Sequence, residues 1–398
     1  MDRTGFEILA EKLEKNGIDV EWVLRELDQL LVEVPSWGFS KSGTRFFSFE
    51  QKGDARDFFE RVDDCEQVLK YTGKGGQICM HIPWDQCDYK AAREYVEEKG
   101  MTFGTLNTNM FQDNDFRLGT LANSDKKIRK KTVDTLNHCI DVAHTVGAKS
   151  LNVWTIDGSD IPGQNDYRMR RKWMLESLKE GYDHAVSCGV QYNIEYKLFE
   201  PSSYHMDIPD WGTALYYASR LGEQAKVTVD LGHHAFGVNV AQIVSLLIDE
   251  QRLGAFHLND NVCADDDLIP GTINPLRLFA IENEIVAGIC EKETESSARS
   301  VLQGLDISFY IEPKVEAMIL SVVNLQTAYA KALLVNRKKL QQLQLDNDIL
   351  GANQCLMQAY HTDVSLLLEE WRNRHGIQGD PYTNYIHSEY FADRKKRG

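Results

Sequence analysis

The chain has 398 residues, of which 42% are hydrophobic, 10% aromatic and 26% charged. This is ordinary globular composition, neither disordered nor fibrous. Its 44 basic and 60 acidic residues leave a net charge of −16, which repels phosphate backbones and argues against a nucleic-acid partner. In chain order, residues 1–30 read as a helix pair covering one end of the main domain. From there, short β-rich segments alternate with longer amphipathic ones. The strand candidates are Leu31–Phe39, Gln77–Pro83, Thr102–Asn107, Ser150–Thr155, Val190–Tyr196, Lys226–Asp230, Gly254–Leu258 and Gly304–Ser308. Helical patterns fill Ala55–Tyr71, Tyr89–Lys99, Lys126–Val146, Tyr167–Cys188, Pro209–Leu221, Val240–Glu250 and Pro275–Cys290.

Eight strands, each followed by a helix or loop, predict an α/β fold of the (β/α)8 TIM-barrel type. A doubly wound open sheet is the rival, disfavoured because no GxGxxG follows the first strand. Residues 317–375 are nearly all good helix formers, with breaks expected near Asp346–Asp348 and at Gly351. Their leucines predict faces that pack on the barrel or reach a neighbouring subunit. The division expected is 1–316 for the barrel with its N-terminal helices and 317–398 for a C-terminal helical extension. The closing Arg394-Lys395-Lys396-Arg397 reads as a frayed, solvated tail. Met1–Val20 has no apolar signal-peptide core, and no run of about 18 apolar residues could span a membrane. Eight scattered cysteines without a CxxC pair read as buried thiols of a reduced, cytoplasmic protein.

Catalytic groups of such barrels stand at the C-terminal ends of the strands. Four successive strands close on Glu195, Asp230, His257 and Asp306. Three carboxylates and an imidazole converging on one point would repel one another unless a cation lay between them. Oxygen-rich, single-histidine coordination suits Mn²⁺, Mg²⁺ or Co²⁺. His233 follows Asp230 by three residues, and Asp265-Asp266-Asp267 follow the seventh strand. An Asp265, Asp267 pair could face one cation, with Asp230 bridging two ions. His234 is expected to pack rather than ligate. Lys197 lies two residues after Glu195 and so on the same strand face. Trp37, Trp84, Phe111 and Trp154 are candidates for an apolar wall, each equally explicable as core.

At these residues the sequence resembles the xylose-isomerase-like metal barrels, and most closely the Pseudomonas-type L-rhamnose isomerases. The matching motifs are His-Ile-Pro-Trp-Asp at 81–85, Trp-x-x-Asp-Gly at 154–158, Pro-Gly-Gln at 162–164 and Glu-Tyr-Lys-x-Phe-Glu-Pro at 195–201. They continue with Asp-x-Gly-His-His at 230–234, His-x-Asn at 257–259, Asp-Asp-Asp-Leu at 265–268 and Ile-Glu-Pro-Lys at 311–314. The resemblance implies a substrate-holding ion on Glu195, Asp230, His257 and Asp306, and a catalytic ion on His233, Asp265, Asp267 and the shared Asp230. It implies that His81, Trp154 and Lys197 contact the sugar, and that Lys197, His233 and Asp306 take part in catalysis. It further implies two Mn²⁺ ions per subunit, a small sugar as substrate and a homotetramer. Two departures stand out. Val262 occupies the place of a lysine of the relatives, and Ile307-Ser308-Phe309-Tyr310 that of Gln-Ser-His-Asn.

The expected reaction is aldose–ketose interconversion by a metal-assisted 1,2-hydride shift, with a 6-deoxy aldohexose such as L-rhamnose accommodated by apolar Val262 and Phe309. The competing expectations are a ketose 3-epimerase, a phosphodiesterase resembling apurinic endonucleases, which the net charge disfavours, and a non-catalytic sugar-binding relative.

Overall fold

Eight parallel strands close on themselves in the computed structural model, which describes residues 4–40, 49–73, 76–200 and 203–397. They are β1 (Val32–Pro35), β2 (Gln77–Ile82), β3 (Thr102–Thr108), β4 (Ser150–Val153), β5 (Gln191–Glu195), β6 (Ala225–Asp230), β7 (Leu253–Leu258) and β8 (Leu302–Leu305). Each pairs with its sequence neighbours, and β1 pairs with both β2 and β8. The fold is the expected TIM barrel with further helices at its C-terminal side. Buried aliphatic and aromatic residues such as Ile78, Leu106, Leu151, Tyr192, Val227 and Phe256 fill the space between strands and helices.

The helices start where their caps dictate. Asp57, Asp88, Asp125, Asp166, Asp210, Asn239 and Asn274 each accept a backbone N–H in the first turn of the adjoining helix. Part of the acidic excess therefore serves helix N-termini, where negative charge is favoured. Helix Phe58–Thr72 shows the packing rule: Phe58, Val62, Cys65 and Leu69 recur one turn apart and all are buried. Each such side chain contributes about 1.5–3 kcal/mol when taken from water. Gly147 and Gly189 end the helices before β4 and β5 in the left-handed conformation, with φ of 79° and 70°.

Several local expectations are corrected. The first strand stops at Pro35, which lacks the N–H to continue a ladder, and Ser36–Phe39 winds into a 3₁₀ turn. The eighth strand is Leu302–Leu305, so Asp306 stands just past its end. Gly351 does not break a helix: it lies in the first turn of Ile349–Tyr360, where its N–H donates to the capping Asp348. The basic C-terminus is not a frayed tail. Arg397 binds the buried Asp64 at 3.0 Å and Arg394 lies 3.5 Å from the same carboxylate, with Tyr390 O–H donating to it at 2.7 Å. Helix Lys314–Leu333 packs against both Pro275–Cys290 and Phe58–Thr72 and completes the outer ring. The N-terminal pair, Thr4–Lys15 and Val20–Leu27, packs on that helix and on Ser365–Arg374, and Glu26 binds Arg299 at 2.9 Å just before β8. All eight cysteines are free thiols, and Cys263 and Cys290 are exposed rather than buried. Among the described residues no single helix is long and apolar enough to cross a membrane.

Candidate metal centre

The register of the barrel delivers the acids to one place. Asp230 pairs with His257 across β6 and β7, and Glu195 closes β5 beside Thr228. Asp306 follows the end of β8. Glu195, Asp230, His257 and Asp306 each offer a ligand atom, all within 4.8 Å of one another. His257 Nδ1 is the hub, 3.1 Å from Glu195, 3.7 Å from Asp230 and 3.4 Å from Asp306. A second group shares Asp230 and adds His233 and Asp265. His233 Nδ1 donates to the Tyr196 carbonyl at 2.8 Å, which turns Nε2 towards Asp265 Oδ1 at 3.4 Å and Asp230 Oδ2 at 3.8 Å.

Asp230 Oδ2 faces both groups. Its partner oxygen accepts from the Gly232 N–H at 2.7 Å and from the Asn259 amide at 3.1 Å, whereas Oδ2 is buried without a hydrogen bond. A buried carboxylate oxygen left thus fits a bridging metal ligand. The electrostatics agree. Burial pushes the Asp230 carboxyl up, and Asp265, Glu195 and Asp306 add to this against the pull of His233. Burial opposes ionisation of Glu195 too, but His257 and His233 outweigh it and hold this carboxyl below its usual range. Burial would neutralise His257, yet Glu195, Asp306 and Asp230 keep it protonated well above an ordinary imidazole. The crowding of carboxylates that draws protons to the imidazoles would equally attract a divalent cation. The donor set is rich in oxygen and fits Mn²⁺, Mg²⁺ or Co²⁺.

Other side chains hold these from behind. The Asn152 amide donates to Glu195, and the Trp37 indole N–H to Asp306 at 2.9 Å. A narrow cleft opens over the first group, lined by Trp37, His81, Phe111 and Trp154 together with Asp267 and Ser308. The rings meet edge to face in sequence: Trp37 to His81 at 5.0 Å, His81 to Phe111 at 5.8 Å, and Phe111 to Trp154 at 5.2 Å.

The structure does not bring Asp267 into either ligand group. An i, i+2 pair faces one way only in extended chain. Here the Asp266 carboxylate accepts the N–H groups of Val262 and Cys263, and Asp267 takes a positive φ of 47°. The turn sends Asp265 to His233 and leaves Asp267 in the cavity wall. Lys197 is buried between Glu200 and Asp265, 2.8 Å from the latter, and 5.4 Å over the Trp154 ring. It does not pair with Glu195. His234 Nε2 accepts from the Tyr196 hydroxyl at 2.6 Å and belongs to neither group. Trp84 stacks under the Arg61 guanidinium rather than joining the wall. Val262 is half-exposed and Phe309 is packed in the core, so neither lines the cavity. Asp85 and Asp157, prominent in the motifs, are structural: Asp85 binds Arg61, Ser36 and the His81 N–H, and Asp157 binds Thr120, Ala122 and Arg170. Pro201 lies outside the described residues.

Comparison with known proteins places these features in company. The family described as Xylose isomerase-like TIM barrel matches residues 58–297. A probable sugar isomerase of Mesorhizobium japonicum is 37% identical over 390 residues, covering 96% of this chain and 90% of the relative. A probable sugar isomerase of Rhizobium meliloti is 35% identical, covering 97% and 90%. An L-rhamnose isomerase of Salmonella paratyphi B is 24% identical, with 86% of each chain covered. Among solved structures, a Sinorhizobium meliloti protein superposes with a TM-score of 0.54 at 15% identity, over 75% of this chain and 98% of its own. The 3-keto-D-glucoside 4-epimerase of E. coli superposes at 0.52 and 16% identity, over 72% and 99%. At such identities these two establish the fold alone.

Proposed function

The chain belongs to the xylose isomerase-like TIM barrel family and is a sugar isomerase or epimerase of that kind, and we propose that it interconverts an aldose and its ketose by a metal-assisted 1,2-hydride shift. The observation that carries this reading is the pair of ligand groups joined through Asp230. The 37% and 35% identical relatives named as probable sugar isomerases support isomerisation, and the 24% identical L-rhamnose isomerase supports a 6-deoxy aldohexose such as L-rhamnose as substrate.

Glu195, Asp230, His257 and Asp306 would hold one divalent ion, and Asp230, His233 and Asp265 a second, Mn²⁺ being the expected occupant of both. When bound, such ions supply Lewis-acid polarisation of neighbouring sugar oxygens. The chain's own residues do the rest. Trp37, Phe111 and Trp154 form a wall against which the apolar face and methyl group of a deoxy sugar can pack while water is excluded. His81 and Asp267 face the same cavity and can exchange hydrogen bonds with hydroxyls. Lys197 brings a buried cation beside Asp265, where an oxygen gaining negative charge would meet it. The working form would be a cytoplasmic homotetramer.

The test is a comparison of kcat/KM for L-rhamnose, L-mannose and aldoses lacking the C6 methyl, with Mn²⁺ supplied. The 6-deoxy sugar is expected to be preferred. A clear preference for a hydroxylated C6 would overturn the apolar wall as the methyl site.

A further inference from the structure

Away from the barrel mouth, two neighbouring outer helices bring an acid, an imidazole and a thiol together. Asp141 and His144 lie one turn apart on helix Lys126–Val146, and His184 and Cys188 one turn apart on helix Tyr167–Cys188. These spacings put each pair on one helix face. His184 Nε2 stands 2.8 Å from Asp141 Oδ1 and 4.0 Å from Cys188 Sγ. The three ligand atoms all lie within 4.8 Å of one another. His144 Nδ1 donates to the Cys188 carbonyl at 3.0 Å and ties the two last turns together.

We propose that Asp141, His184 and Cys188 form a Zn²⁺ site, separate from the sugar-handling centre, that staples these two helices. Tetrahedral zinc, with bonds of about 2.0–2.3 Å, spaces nitrogen, oxygen and sulfur ligands roughly 3.3–3.6 Å apart. The distances of 2.8 and 4.0 Å lie on either side of that range, so small side-chain rotations seat the ion. Asp141 is exposed, and the fourth position opens to water. On binding, the thiol proton and any imidazolium proton pass to solvent, and the Asp141–His184 hydrogen bond gives way to two metal bonds. A thiolate with an imidazole selects Zn²⁺ over Mn²⁺ or Mg²⁺.

The location separates the roles. The helices run back along the barrel from the mouth, and their last turns lead directly into β4 and β5. Cys188 thus sits at the end of the barrel opposite Glu195. The site adds a cross-link between adjacent helices without touching the substrate cavity.

Cobalt reads the proposal directly, because a thiolate–Co²⁺ bond gives a near-ultraviolet charge-transfer absorption that carboxylates and imidazoles do not. The full-length protein is first saturated with Mn²⁺ and then titrated with Co²⁺. The band should appear as Co²⁺ is added, whatever share of it exchanges into the carboxylate-rich mouth, and be lost in Cys188→Ser. It should persist in Cys263→Ser, the control for the exposed thiol near the barrel mouth. Asp141→Asn, a surface change that leaves folding intact, should keep the band but weaken Co²⁺ binding tenfold or more. Zn²⁺ should raise the thermal midpoint of the Mn²⁺-saturated wild type more than that of Cys188→Ser, the difference excluding exchange at the barrel mouth. No band in the wild type, a band that survives Cys188→Ser, or unchanged affinity in Asp141→Asn would each overturn the site.

Discussion

Asn152 donates its amide to Glu195 and to Asn107, and its carbonyl accepts from the Thr228 hydroxyl. One uncharged side chain thus fixes the rotamer of a carboxylate in the first ligand group, as Trp37 does for Asp306. Partners behind a ligand commonly matter by about 10–100-fold in metal affinity. Asn152→Ala and Trp37→Phe should each lower Mn²⁺ affinity by that order in calorimetric titration. Unchanged affinity in both would mean that Glu195 and Asp306 need no support. At the other end of the barrel, burial pushes Glu282 up to about 8, with only Gln303 donating to it. An acid raised in the folded state binds a proton that the unfolded chain releases above its ordinary range near 4.5. The contribution of Glu282 to stability should therefore fall as pH rises from about 4.5 to 8, by about 1.4 kcal/mol per unit. Glu282→Gln should flatten that slope and stabilise the protein more at pH 8 than at pH 5 in thermal melts. A parallel slope in the variant would show that Glu282 is not the group responsible. The strand-end acids are legible because the barrel repeats, so residues close to the end of each strand can be named without coordinates. Asn152 is not, since a neutral amide inside a strand looks like any satisfied core residue. Its signal lies in Asn107, Asn152 and Asn193 recurring on three successive strands. Spacing alone misplaces Asp267 because it cannot reveal a left-handed residue inside a turn.

The helices announce themselves through their caps and apolar periodicity, and Lys126–Val146, Tyr167–Cys188 and Pro275–Cys290 match the sequence reading residue for residue. What periodicity cannot supply is the partner of each face. The N-terminal pair meets helices Lys314–Leu333 and Ser365–Arg374 near the other end of the chain, a choice made by tertiary packing alone. The same limit hides the docking of the C-terminus. A run of four basic residues reads as solvated until a buried acid is found beneath it. Asp64 is that acid, wholly buried and bound by Arg397, Arg394 and Tyr390. Removing one partner of a buried pair typically costs about 3–5 kcal/mol because it strands the other charge. Truncation after Ile386 should therefore destabilise the protein by that order in urea unfolding, and Asp64→Asn in the truncated chain should recover part of the loss. A truncated chain as stable as the full one would show that these pairs contribute no net stability.

At the scale of the whole molecule, the connection between helices Arg337–Leu345 and Ile349–Tyr360 exposes Leu345, Ile349 and Leu350, each more than 70% accessible in the single chain. Apolar tips of this kind are normally covered in an assembly. If the protein is the proposed tetramer and this tip is a contact, Ile349→Lys with Leu350→Lys should give a smaller particle by light scattering. An unchanged mass would exclude the tip as an interface. The central claim, that two ligand groups sharing Asp230 support aldose–ketose isomerisation, has one direct test. The protein is stripped with chelator, two equivalents of Mn²⁺ are returned, and the products formed from L-rhamnose and from a ketose are identified by carbon NMR. The account predicts no turnover by the stripped protein and, on reloading, conversion between C1 and C2 carbonyl forms with the C3 configuration kept. Turnover that survives metal removal, or a product inverted at C3, would contradict it.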